Sequence, residues 1–137
     1  MRKWVCILLL VVSLGCGTPA TVSPVPRSTA GAPAYTEIAD SFATMTDAQW
    51  DAYAAGLVGT RVDRWAGEVV DVTHMANTYR VNVDMDTDGI FDVSFNVDAD
   101  TGLALDRGVT IMFSGTIVHA RRLFGALSIG LDEAILE

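Results

Sequence analysis

The chain has 137 residues, of which 9 are basic and 17 acidic, giving a net charge of −8 at neutral pH. This length suits one domain whose core needs no metal or cross-link, and the negative charge repels the phosphate backbones of nucleic acids. The two cysteines, Cys6 and Cys16, lie near the N-terminus, so the rest of the chain offers neither a disulfide nor thiolate zinc ligands.

Residues 1–15 have the pattern of a signal peptide. Arg2 and Lys3 precede an apolar stretch, residues 4–14, that is shorter than the roughly 20 residues needed to span a bilayer. The segment Ser13-Leu14-Gly15-Cys16 resembles a bacterial lipobox, although the lipobox usually has Leu where this chain has Ser13. The resemblance predicts diacylation of Cys16 and anchoring at the outer face of the cytoplasmic membrane or in the outer membrane. The alternative is a cleaved leader and a secreted protein.

Residues 16–34 are predicted to form a disordered tether. They contain all four prolines, many Thr, Ser, Ala and Gly residues, and no aromatic residue. Such a segment buries too little apolar surface to offset the entropy lost on ordering. The folded domain is therefore predicted to occupy residues 35–137.

Two short helices are predicted at the start of this domain. The first is indicated by apolar residues at near-helical spacing: Tyr35, Ile38, Phe42 and Met45. The second begins with Thr46-Asp47-Ala48-Gln49, which has the form of a capping box. Its apolar face is predicted to comprise Trp50, Tyr53, Ala54 and Leu57. Aromatic residues on such a face could form a ligand platform, but core packing is favoured.

From Arg61 onward, apolar residues recur with a period of two, which is typical of strands. Strands are predicted over residues 61–72, 79–85, 91–97, 109–120 and 126–136, with bends at Gly67 and Gly115. A short helical turn is predicted within residues 99–106. Five strands interrupted only between the third and fourth match the order of an OB barrel. The predicted fold is therefore mostly β: a five-stranded OB barrel preceded by one or two short helices.

Three segments carry a resemblance to a known family. Residues 57–72, containing Leu57-Val58-Gly59-Thr60-Arg61-Val62 and Trp65-Ala66-Gly67-Glu68, look like the opening of the tRNA-anticodon-like OB-fold family of small bacterial lipoproteins and exported proteins. Residues 106–117 and 127–134 are similar to its fourth and last strands. The likeness covers residues 57–137 and implies a fold, with no particular activity.

The segment Asp84-Met85-Asp86-Thr87-Asp88-Gly89-Ile90-Phe91-Asp92 contains the D-x-D-x-D-G core of a calcium loop. Carboxylates at alternate positions can converge on one hard cation, so Asp84, Asp86, Asp88 and Asp92 are candidate calcium ligands. The twelfth loop position is Phe95, where a bidentate Glu is expected, and the flanks are predicted strands rather than helices. The alternative is an acidic hairpin tip in which Asp88-Gly89 only forms the turn.

The outward residues of the second and third strands define a second candidate site. Alternation predicts that Asp84 and Asp92 also face outward and that Phe91 faces inward. The candidate site comprises Arg80, Asn82, Ser94 and Asn96, on the face that commonly binds oligonucleotides or sugars in OB folds. Single-stranded nucleic acid requires a basic groove with exposed aromatic residues, so an envelope protein or polysaccharide is the more favoured partner. The residues include no recognisable catalytic constellation, and a non-enzymatic binding module is predicted, with calcium as the one cofactor considered.

Overall fold

The computed structural model describes residues 31–137. The predicted signal peptide, Cys16 and most of the predicted tether lie outside the described residues. The described elements are α1 (Tyr35–Thr44), α2 (Asp47–Leu57), β1 (Arg61–Met75), β2 (Thr78–Asp84), β3 (Val93–Val97), α3 (Ala99–Ala104), β4 (Thr110–Leu123) and β5 (Ala126–Leu136).

The five strands form a closed barrel in the order β1-β2-β3-β5-β4. β1 pairs antiparallel with both β2 and β4, whereas β3 pairs parallel with β5 and thereby completes the barrel. The helix α3 lies in the crossover between β3 and β4. The predicted fold class, a mostly β five-stranded barrel of the OB type with short helices before it, is confirmed.

The two N-terminal helices form where the sequence predicts them. At the start of α2, the Thr46 hydroxyl accepts the Gln49 backbone N–H at 3.4 Å, and the Gln49 side chain accepts the Thr46 N–H at 3.0 Å, completing the capping box. Trp50 is only 1% exposed, so its predicted role in the core is confirmed. Its ring packs edge-on against Phe42 of α1, with ring centroids 5.0 Å apart.

Two side chains connect the helices and the preceding segment to the barrel. Arg122 of β4 lies 4.1 Å above the Phe42 ring and pairs with Asp47 of α2 at 3.3 Å. The indole N–H of Trp65 in β1 donates to the carbonyl of Pro33 at 3.0 Å. The last residues of the predicted tether therefore contact the barrel.

The bends predicted at two glycines differ in their physical basis. The register between β4 and β5 shifts between Ser114 and Thr116, which places an irregularity at Gly115 as predicted. At Gly67 the pairing is regular, and the shifts in β1 flank it on both sides. A Cβ at position 67 would lie 2.5 Å from Val83 Cγ1 and 2.7 Å from the Asp84 carbonyl. Gly67 therefore permits β1 and β2 to approach closely rather than marking a bulge.

The barrel interior contains the inward-facing residues of all five strands. Those with no exposed surface are Val62, Val69, Val81, Val83, Val93, Phe113, Ile117 and Ile129. Phe113 packs against Phe95 with ring centroids 5.0 Å apart. This rigid interior fixes the direction in which the alternate, outward-facing residues project. Within residues 31–137, no helix combines the length and apolarity required to cross a bilayer.

Candidate functional site

The outer face of β2 and β3 brings the four predicted binding residues together. Arg80 lies opposite Asn96, and Asn82 lies opposite Ser94. Directly opposed residues of neighbouring strands project to the same side of a sheet, with Cβ atoms about 5 Å apart. Arg80 and Asn96 are exposed, and Asn82 and Ser94 are half-buried. The result is one continuous polar surface on the outside of the barrel.

The same face continues across β5 onto β4. Ser94 lies beside Gly130 in the parallel pair, and Gly130 in turn lies opposite His119. Two positions along, Ser128 lies opposite Arg121. His119 and Arg121 thus join the predicted residues, although the sequence reasoning did not assign them to this face. The neighbour order of an OB barrel, with β5 between β3 and β4, is the signal that could have identified them.

The ring of His119 lies directly over Gly130. A Cβ at position 130 would be 2.6 Å from both ring nitrogens, so a side chain there would displace the imidazole. The pKa of His119 is lowered below its usual range, first by partial burial and then by repulsion from Arg121 and Arg80. At neutral pH the ring is therefore uncharged, because two permanently charged guanidinium groups lie near enough to repel its protonated form.

The segment between β2 and β3, residues 85–92, is longer than a two-residue hairpin turn. The carboxylate of Asp84 accepts backbone N–H groups from Asp86 at 3.1 Å and from Thr87 and Gly89 at 2.7 Å. Burial opposes ionisation of Asp84, but these hydrogen bonds outweigh it, and the pKa of Asp84 is lowered. Asp84, which was predicted to face outward, is only 4% exposed because it organises this loop.

Asp92 was also predicted to point outward, and that prediction is wrong. It is 6% exposed, it precedes β3, and its carboxylate accepts the Met85 backbone N–H at 2.9 Å. Burial raises the pKa of Asp92 despite this hydrogen bond and the facing Tyr35 hydroxyl. Burial and the neighbouring Asp92 carboxylate likewise raise the pKa of Tyr35. Phe91, predicted as an inward strand residue, lies in the loop before β3.

The loop brings three of the four predicted calcium ligands together. One carboxylate oxygen from each of Asp84, Asp86 and Asp88 lies within 4.8 Å of the others. Asp92 is not among them, because its carboxylate is engaged by Met85. The pKa of Asp86 is raised, first by partial burial and then by the negative charge of Asp88. A bound cation would relieve this repulsion, but Asp84 already has backbone donors on both oxygens.

An apolar groove separates this loop from the turn between β4 and β5. Its lining comprises Ile90, Phe91, Leu123, Phe124, Ala126, Leu127 and Ser128. Phe124 is fully exposed and has a φ of 50°, and the following Gly125 has a φ of 88°. The turn thus places a bulky aromatic residue in a left-handed conformation that Asn and Gly adopt far more easily.

Comparison with known proteins assigns no family to the chain. No model of a known protein family matches it, and no curated protein matches it.

Proposed function

We propose that this protein is an exported, lipid-anchored OB-fold module that binds an envelope protein or envelope polymer and catalyses no reaction. The signal-peptide pattern and Cys16 support the export and the anchor. We also propose kinship with the tRNA-anticodon-like OB-fold proteins, on the segments quoted above and the barrel topology. The observation that carries the binding function is the polar face on which Arg80, Asn82, Ser94 and Asn96 lie side by side.

The chemistry of this face suits a hydroxyl- or amide-rich ligand. Each Asn amide offers two donors and a carbonyl acceptor, and the Ser hydroxyl both donates and accepts. The positions are fixed by strand pairing, so few degrees of freedom are lost when a ligand binds. A folded partner's loop or a saccharide presents matching groups. An oligonucleotide is disfavoured because β2 and β3 project no Phe, Tyr or Trp from this face on which bases could stack.

Affinity capture with the full-length protein, extracted from membranes in detergent, tests the proposal. The double variant Asn82→Ala/Asn96→Ala should lose the envelope component that the wild type retains. The control Thr36→Ala, an exposed polar position on α1, should retain it. Equal retention by the double variant would refute a role for this face.

Reproducible hydrolysis of an envelope polymer by purified protein would refute the non-enzymatic assignment, and retention on single-stranded DNA at moderate salt would favour oligonucleotide binding.

A second candidate function is calcium binding, favoured by the convergence of Asp84, Asp86 and Asp88. A ligand that binds only the folded state must stabilise it, by about 2.7 kcal/mol at a concentration 100-fold above its Kd. Millimolar calcium should therefore raise the Tm of the wild type and leave that of Asp86→Asn/Asp88→Asn unchanged. If the wild-type Tm does not move, the loop serves only as a turn.

A further inference from the structure

Three cationic or potentially cationic side chains share the outer face: Arg80, His119 and Arg121, here called the basic face. Within residues 31–137, ion pairs join Arg64 to Glu137 and Arg122 to Asp47, and neither Arg80 nor Arg121 takes part in one. In this same range Arg61 and Arg107 form no ion pair either, so what distinguishes Arg80 and Arg121 is that strand pairing places them on one face. The unpaired arginines favour an anionic ligand.

Two carboxylates adjoin the basic face, and each accepts a hydrogen bond from a residue of its own strand. Asp71 of β1 lies opposite Asn82, but its carboxylate accepts the Thr73 hydroxyl at 2.6 Å. Asp132 lies two residues beyond Gly130 on the same face of β5, and its carboxylate accepts the Glu133 backbone N–H at 2.9 Å. Within the part of the chain that the structure describes, neither forms an ion pair with Arg80 or Arg121.

The basic face is shaped by the absence of a side chain at its centre. Because residue 130 is a glycine, the His119 ring rests on the β5 backbone instead of projecting into solvent. Strand pairing places Arg80 and Arg121 on the same outer face as this ring, and both guanidinium charges act on it. Asn82, Ser94 and Asn96 adjoin this arrangement as neutral hydrogen-bonding groups.

We infer that the ligand of the proposed binding face is an acidic polysaccharide, whose carboxylates pair with Arg80 and Arg121 while its hydroxyls bond to His119, Asn82, Ser94 and Asn96. This inference rests on the proposed function and adds the ligand's chemical class. Guanidinium groups bind carboxylates through paired, charge-assisted hydrogen bonds. The strands project no Phe, Tyr or Trp from this face on which bases could stack, so a saccharide fits better than a nucleic acid.

Titration calorimetry with full-length protein in detergent provides the test, using polygalacturonate, its methyl ester and an oligo-dT of matched charge. The wild type should bind polygalacturonate more tightly than either alternative. Arg80→Gln and Arg121→Gln should each weaken binding about tenfold or more. Arg64→Gln, which removes the same charge from the exposed Arg64–Glu137 pair, should leave affinity within about twofold.

The inference would be overturned by an equal loss in Arg64→Gln, which indicates diffuse electrostatics, or by tighter binding of oligo-dT or of the methyl ester than of polygalacturonate. A lack of polygalacturonate binding at low salt would also overturn it. The proposed function stands in that case if the Asn82→Ala/Asn96→Ala variant still loses an envelope component in affinity capture. The proposed function is refuted independently if that double variant retains every envelope component that the wild type retains.

The ring of His119 provides a pH-dependent readout that a merely structural role would not produce. The charged groups acting on it are Arg121 on its own strand and Arg80 on β2, with Asp132 farther along β5; β3 contributes only Ser94 and Asn96. Protonation adds a third positive charge, so polygalacturonate affinity should rise as pH falls from 7 to 5. His119→Gln should abolish this dependence. Gly130→Ala, which displaces the ring without removing it, should also weaken it. An unchanged pH profile in both variants would exclude His119 from the site.

Discussion

Asp84 and Asp92 flank the same loop, but their environments have opposite effects on ionisation. Backbone hydrogen bonds lower the pKa of Asp84, whereas burial raises that of Asp92. A carboxyl group whose pKa is lowered on folding, such as Asp84, stabilises the folded protein above its unfolded-state pKa of 3.8. This contribution to the unfolding free energy is lost as pH falls through the pKa of the folded state. A carboxyl group whose pKa is raised on folding, such as Asp92, stabilises the folded protein fully below pH 3.8. This contribution to the unfolding free energy is lost as pH rises through the pKa of the folded state.

The pair predicts opposite pH trends for two isosteric variants. Relative to the wild type, Asp92→Asn should gain unfolding free energy as pH rises from 3 to 7, because it lacks the cost of an ionised buried carboxylate. Asp84→Asn should lose unfolding free energy over the rise through 3.8. Urea unfolding in calcium-free buffer at several pH values measures both. Trends of the same sign would show that the two environments do not differ as described.

Phe124 is strained without any compensating burial. It has a φ of 50° and is fully exposed at the β4–β5 turn. A non-glycine residue in the left-handed region costs about 1 kcal/mol, and Asn tolerates it best. Phe124→Asn should therefore raise the unfolding free energy by up to about 1 kcal/mol in urea titrations. Phe124→Ala keeps the strained backbone and should show no such gain; an equal gain in both would assign the cost to the exposed ring instead.

At the level of elements, local sequence patterns predicted the strands and helices well. The period-two runs predicted β2 and β4, and the capping box at Thr46 predicted the start of α2, because these signals depend on neighbouring residues. The β2–β3 loop was predicted less well. Asp84 and Asp92 alternate with apolar residues as outward strand positions do. In the structure, however, the Thr87 backbone N–H donates to the Asp84 carboxylate, and the Met85 backbone N–H donates to the Asp92 carboxylate. Burial of these two carboxylates depends on tertiary packing, so it leaves no periodic pattern in the sequence from which it could be predicted.

The β1–β2 contact at Gly67 yields a prediction about stability. A Cβ there meets Val83, the Asp84 carbonyl and the Met85 sulfur at 2.5–2.8 Å, and the carbonyl cannot rotate away. Gly67→Ala should lower the unfolding free energy by about 1–3 kcal/mol through overpacking. The control Gly56→Ala, in α2 with nothing within 4 Å, should instead raise it by about 0.5–1 kcal/mol. Similar effects at both sites would contradict the close approach.

For the whole molecule, the order of strands was predictable from the sequence, but the composition of the proposed binding face was only partly predictable. Arg80, Asn82, Ser94 and Asn96 belong to one hairpin, so alternation alone groups them. His119 and Arg121 join them only through β5, which pairs with β3 in parallel and β4 in antiparallel. Grouping them requires the three-dimensional order of strands, and alternation along one segment does not supply it.

The anchor should be separable from the fold. If Cys16 is acylated, Cys16→Ser should move the protein from the membrane fraction to the soluble fraction, because stable attachment requires more than one acyl chain. The Tm of the domain should stay unchanged, since α1 begins at Tyr35. Fractionation, intact mass and thermal unfolding measure the three quantities. Wild-type protein that is free and cleaved away from Cys16 would show that the lipobox interpretation is wrong.

The pairing of Arg61 with Thr116 determines when the barrel can close. The first strand finds its second neighbour only after most of the domain has been synthesised, and such non-local topologies fold in about milliseconds to seconds rather than microseconds. All four prolines precede Tyr35, so no proline isomerisation within the barrel delays this step further. Until that pairing forms, β1 keeps one edge without a strand neighbour, so the barrel stays open through most of the synthesis of the domain.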